Sequence, residues 1–224
     1  MEDSPLFLGG VHVNTLHQEY CFSFKGDFFT ILKQAVFVQS LLTENRNSNL
    51  QLNEDTEMVL LDVFGWSFES LALSLARVWD QDKNDVSLIS LRNLTFHFQD
   101  RNYLGCRCLM EGNDARSLFD ALEANPIRSR LRVARTELLA HTIIPGHSKD
   151  RKWSDLSGKR EYELVNGEVI RFALQTAELL FKLLCELNVG HWHKGKTFEE
   201  IKSAYLLNCQ QFQDRLSPSC PPAT

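Results

Sequence analysis

The sequence predicts an all-α protein, an up-and-down helical bundle with one additional C-terminal helix. Three observations lead there. Apolar residues recur at spacings of three and four along nearly the whole chain, the period of helices that each bury one stripe. Apolar–polar alternation of the strand kind is almost absent. One late segment is apolar over two adjacent stripes, as a helix in the middle of a bundle must be.

The elements follow in order. Residues 27–43 carry Phe28, Ile31, Leu32, Ala35, Val38 and Leu42 in helical rhythm. The polar run 44–55, with Asn45, Asn47, Asn49 and Asn53, reads as an interhelical loop. Leu61, Phe64, Phe68, Leu71, Leu75 and Val78 then share one stripe of a helix of about 25 residues. A polar loop over 80–85 precedes a shorter helix that Ser87 is placed to cap. Residues 113–124 form the next helix, which stops before Asn125-Pro126. That proline suits the first turn of a following helix over 126–144, closed by Pro145-Gly146. After a charged stretch, residues 168–187 supply the doubly striped helix. Val169, Phe172, Leu179 and Leu183 mark one line and Ile170, Leu174, Phe181 and Leu184 the other. A hairpin around Asn166-Gly167 is the rival reading, and it ranks below Asn166 capping this helix. His191, Trp192 and His193 read as a polar turn before a last amphipathic helix over 197–212. The tail beyond it, rich in Ser and Pro, is expected to be disordered. The expected division is therefore a bundle over 1–190, then a C-terminal helix and tail over 191–224.

Composition narrows the function. With 224 residues, 43% hydrophobic and 24% charged, the chain has the make-up of one globular domain rather than a disordered or fibrous protein. No apolar run approaches the roughly 18–20 residues that cross a bilayer. Met1-Glu-Asp-Ser opens with neither the basic charge nor the apolar stretch of a signal peptide. A cytoplasmic protein without a membrane partner is the expectation. A net charge of −5 gives no global attraction to nucleic acid, so such binding needs a local patch. The six cysteines are scattered, with no C-x-x-C pair. Cys106-x-Cys108 and His191-x-His193 each supply half of a metal site, whereas zinc sites usually join two half-sites at recognisable spacing. Reduced structural thiols are the plainer reading, with no metal and no cofactor expected. The G-x-x-x-x-G-K, G-x-G-x-x-G, H-E-x-x-H and G-x-S-x-G motifs are all missing.

One stretch departs from this background. Between Arg128 and Arg160 lie nine basic residues (Arg128, Arg130, Arg132, Arg135, Lys149, Arg151, Lys152, Lys159, Arg160) against Glu137, Asp150 and Asp155, a net of +6. Such a run is either an anion-binding patch or a solvated face. Ile127, Leu131, Ala134, Leu138 and His141 step by four, three, four and three, so the histidine continues the buried line of its helix. Arg128, Arg132 and Arg135 form a parallel line one residue, about 100°, around. The bland reading of His141 is a core histidine capping carbonyls at a helix C-terminus.

Arg135-Thr-Glu-Leu-Leu-Ala-His141 resembles the R-x(4–6)-H signature of the HEPN superfamily, small helical bundles many of which are metal-independent ribonucleases. Spacing alone does not select it, because Arg92-Asn-Leu-Thr-Phe-His97 also matches and carries the polar Asn93 that the superfamily favours after its arginine. Context separates the two. Leu-Leu-Ala-His-Thr at 138–142 is similar to the family's helix ending, and the long apolar helix after a charged loop to its last bundle helix. Leu75-Ala-Arg-Val-Trp-Asp80, a polar loop and Ser87-Leu-Ile-Ser-Leu91 resemble the middle of the branch associated with abortive phage infection. The resemblance covers about residues 25–190 and places Arg92 and His97 on a different helix. It implies Arg135 and His141 as the catalytic pair. Thr136 stands where the family usually has Asn, Asp or His and keeps only a hydroxyl.

RNA supplies its own nucleophile, the 2′-OH. Cutting it needs a base for that proton, an acid for the leaving 5′ oxygen and positive charge on the phosphorane. Imidazole serves as acid or base near neutral pH, and guanidinium forks onto two phosphate oxygens without deprotonating. One histidine cannot be both base and acid in one step. The resemblance implies homodimers that bring two motifs into one cleft. On an ideal helix Arg135 and His141 lie about 120° and about 9 Å apart, so they converge only through arginine's length and a loosened helix end. Thr136, Arg132, Arg128 and Lys149 are the expected phosphate-holding residues. The expected partners are RNA, a second copy of the chain, and a cognate antitoxin or nucleotidyltransferase. The alternatives are a catalytically inactive relative that binds RNA or a protein through the same cleft, and a helical scaffold with no nucleic-acid role.

Overall fold

A computed structural model describes residues 7–8, 11–47, 54–80, 89–98, 114–135, 166–186 and 193–216. Among these residues the chain forms an all-α bundle. Its helices are α1 (Val13–Asn47), α2 (Glu54–Val78), α3 (Leu91–Phe98), α4 (Asp114–Glu123), α5 (Pro126–Val133), α6 (Asn166–Glu186) and α7 (Phe198–Leu216). A two-residue antiparallel pair, β1 (Phe7–Leu8) with β2 (Val11–His12), precedes α1 and went unpredicted. Gly9-Gly10 lies between the two strands in sequence, a dipeptide that two-residue hairpin turns favour.

Helix α1 is far longer than its predicted core. Tyr20 and Phe24 extend the buried line that Phe28, Ile31, Leu32, Ala35 and Val38 continue. It packs against α6, α2 and α7, and so forms the spine of the bundle. Helix α6 begins at Asn166, which settles against the hairpin reading of that position. Both of its predicted stripes turn inward, with Val169, Ile170, Phe172, Leu179, Leu183 and Leu184 buried. Phe28 of α1, Phe181 of α6 and Phe198 of α7 meet with ring centroids 5.9–6.4 Å apart, so α7 shares the core of the bundle. Thr197 and Glu200 close a capping box at its start. The Thr197 N–H donates to Glu200 Oε2 at 2.7 Å and the Glu200 N–H to Thr197 Oγ1 at 3.3 Å.

Two sequence expectations change. The cap of α3 is Ser90, whose Oγ accepts the Asn93 N–H at 3.1 Å, not Ser87, which lies outside the described residues. Residues 58–78 of α2 are long and apolar enough, by length and hydropathy, to cross a bilayer, contrary to the expected absence of such a run. Their second half packs as a core helix does, burying Leu71, Ala72, Leu75, Ala76 and Val78. The first half leaves Met58, Val59 and Trp66 exposed.

Candidate functional site

The site grows from α5. Asn125 caps it, its Oδ1 accepting the Ile127 N–H at 2.9 Å, and Pro126 fills the first position, where a missing N–H costs nothing. Ile127, Leu131 and Ala134 are buried as the spacing predicted, against α2 and α6. Their burial leaves Arg128, Arg132 and Arg135 along the flank. At 134–135 the chain leaves the α-helical winding for a wider, π-type turn. The Ala134 N–H reaches the carbonyls of both Arg130 and Leu131. The regular α-helical winding thus gives way by Arg135. His141, Thr136 and Lys149 lie outside the described residues.

Arg135 pairs with Asp80, which ends the Leu75–Asp80 segment of α2 and its following turn. Asp80 is mostly shielded, whereas the Arg135 side chain is 42% exposed. The position of Asp80 is set by its neighbour. Trp79 is buried against Phe119 and Phe172, and its Nε1–H donates to the fully buried Thr176 Oγ1 at 3.0 Å. Two residues earlier Arg77 pairs with the buried Asp27 of α1. One short segment thus locks α2 to α1 and α6 and presents a carboxylate to the signature arginine.

A second group of charges surrounds Arg128. Arg92 of α3 donates through Nε to Glu123 Oε1 of α4 at 3.0 Å. Burial lowers the Arg128 pKa most; the positive charges of Arg92 and Arg132 lower it further, and Glu123 opposes them. The Arg128 Nε is buried without a hydrogen-bond partner. Arg130 points elsewhere, to Glu168 of α6 at 3.4 Å. Of the predicted basic residues, Arg128 and Arg132 therefore act on one another, Arg135 is held by Asp80, and Arg92 joins them from another helix. Arg92 and Asp80 were not among the site residues predicted from sequence. Asp80 closes the Leu75–Asp80 segment, but its partner is 55 residues away, and no local pattern joins them.

Cys21, Cys185 and Cys209 carry free thiols. Burial raises the pKa of all three, and the Glu186 carboxylate raises that of Cys185 further, so none is tuned as a nucleophile. Among the described residues, no group of three or more His, Cys, Asp or Glu could hold a metal.

A family model for HEPN domains, described as AbiU2, matches residues 11–205. The chain belongs to this family. The match begins before α1 and runs into α7, taking in the whole of the Arg135–His141 segment. No curated protein and no solved structure matches the chain. Membership in the AbiU2 family supports a ribonuclease or defence role at the level of the domain. In this HEPN domain the guanidinium of Arg135 is paired with Asp80 and remains part-exposed.

Proposed function

We propose that this AbiU2-type HEPN domain is a metal-independent endoribonuclease of the toxin or phage-defence type. The observation that supports it is Arg135: the signature arginine stands part-exposed where the regular α-helical winding gives way, held in place by Asp80. A guanidinium so placed offers two forked donors to a phosphate and stabilises the charge of the phosphorane. His141 takes the 2′ proton in one copy, and His141 of a second copy protonates the leaving 5′ oxygen, so the working unit is a homodimer. The 2′ oxygen bonds to phosphorus as the bond to the 5′ oxygen breaks. The products are a 2′,3′-cyclic phosphate and a 5′-OH, with no metal required. An antitoxin or nucleotidyltransferase partner would silence the site, and the setting is the cytoplasm.

Incubation with labelled RNA in EDTA tests this, beside Arg135→Ala and His141→Ala. The reading expects cyclic-phosphate ends from the wild type and loss of cutting in both variants with folding intact. A second reading, an inactive relative that binds RNA or a protein, is favoured by the Asp80 carboxylate, which competes with a phosphate for one N–H of Arg135. It expects RNA affinity with a steep salt dependence and no cutting.

A further inference from the structure

We propose that the cavity between α1, α2 and α7 binds a fatty acid, a free linear alkyl carboxylate, with its chain among the apolar walls and its carboxylate on Lys33. The site is independent of the chemistry at Arg135. Helices α2 and α7 both pack on α1, but they do so at opposite ends. Helix α7 joins the core through Phe198 and Ile201 near its start, and Phe212, near its other end, is half exposed. Helix α2 does the converse, burying Leu71 and Leu75 late in its length and leaving Val59 60% exposed near its start. The two helices therefore lose their cover in the same place, and a cavity of about 550 Å³ lies there, the size of a small-molecule site. Phe37 of α1, Leu60 and Val63 of α2, and Tyr205 and Phe212 of α7 line it. An alkyl chain laid against these walls removes from water the apolar surface that the bundle leaves open.

One charge stands in this wall. Among the described residues that line the cavity, Lys33 carries the sole charge and no acid accompanies it. Its ammonium lies 5.8 Å from the ring centre of Phe29 and 5.6 Å from that of Tyr205. Those rings are its partners; among the described residues it has no hydrogen bond and no ion pair. Because Tyr205 also lines the cavity, the two rings hold the ammonium at the cavity wall with its three donors left for an anion. Asn208, in the same lining, adds an amide donor. A single ammonium matches a monoanionic carboxylate, and the forked arginines that favour phosphate do not line this cavity. Along α2, Val63 is about 22 Å from Val78, so the cavity is well separated from Asp80 and Arg135.

The test is calorimetry on the full chain with octanoate, decanoate and dodecanoate below their micelle-forming concentrations, and with decanol as the uncharged control. The proteins are the wild type, K33Q and V63F. Wild-type affinity should rise about three- to fourfold for each added methylene. K33Q should weaken decanoate about two- to fivefold, as loss of an exposed ion pair does, and leave decanol unchanged. V63F narrows the cavity, so dodecanoate should gain nothing over decanoate. Cys209 lines the same cavity and reports its occupation: dodecanoate should slow alkylation of Cys209, read by peptide mass spectrometry, without slowing that of the exposed Cys185. Thermal melts confirm folding, and K33Q, altered at an exposed side chain, carries the test if V63F does not fold. No binding by the wild type at any chain length would overturn the site. Decanoate affinity unchanged in K33Q would overturn the carboxylate and leave an unselective apolar cavity. If the acids do not bind and V63F alters the oligomeric state in sedimentation, the cavity seats a second copy of the chain and the proposal falls. Cutting of RNA, or its absence, bears on Arg135 alone.

Discussion

Replacing Trp79 by Phe removes the indole N–H and part of the ring from the junction that places Asp80 beside Arg135. The indole is almost fully buried and its partner Thr176 entirely so, with the bond at 3.0 Å. The lost hydrogen bond costs about 1 kcal/mol. The smaller ring leaves space beside Phe119 and Phe172, and a partial cavity of that kind adds about 1–2 kcal/mol. The sum is about 2–3 kcal/mol, a fall in Tm of about 4–12 °C at this chain length. Thr176→Val strands the indole N–H instead and costs about 1–3 kcal/mol. The double variant loses the bond only once, so a double-mutant cycle by urea unfolding should return a coupling of about 1 kcal/mol with m unchanged. Additivity of the two substitutions would show that the bond contributes nothing and that Asp80 is held some other way.

Three further outcomes follow from the same geometry. Arg77→Leu leaves the buried Asp27 carboxylate without its cation and should cost about 2 kcal/mol, at the low end for such pairs because Arg77 is half exposed; adding Asp27→Asn should restore most of it in chemical denaturation. Gly26 lies inside α1 with open space where a Cβ would sit, so Gly26→Ala should stabilise by about 0.5–1 kcal/mol in the same assay. Glu200 has its pKa lowered by the Thr197 N–H first and then the Thr197 hydroxyl. Its contribution is present above the ordinary carboxylate range and is lost as pH falls through its depressed pKa. Melts followed into the acid range should thus lose stability more steeply for the wild type than for Glu200→Gln.

The elements themselves were legible because burial imposes a period. Ile127, Leu131 and Ala134 turned inward as spaced, and both stripes of α6 did so because that helix has neighbours on several sides. Helix α1 was read too short. Gly26 weakens a helical pattern, and the polar residues around Tyr20 and Phe24 diluted a stripe that packing against α6 enforces. Ser87 and Ser90 are equal as caps in sequence, and only the accepted Asn93 N–H distinguishes them. The ion pairs were beyond reach. Asp27–Arg77, Asp80–Arg135 and Arg92–Glu123 each join separate helices, and long-range charge pairing leaves no periodic trace. Arg92 shows the consequence: set aside because it lies on another helix, it is brought by the fold into the company of Arg128.

The most direct test is the fate of labelled RNA in EDTA with the wild type, Arg135→Ala and His141→Ala side by side. Cutting by the wild type alone, leaving 2′,3′-cyclic phosphate and 5′-OH ends, is the predicted result. Equal cutting by all three proteins, or none by a folded wild-type dimer, would contradict an Arg135–His141 ribonuclease.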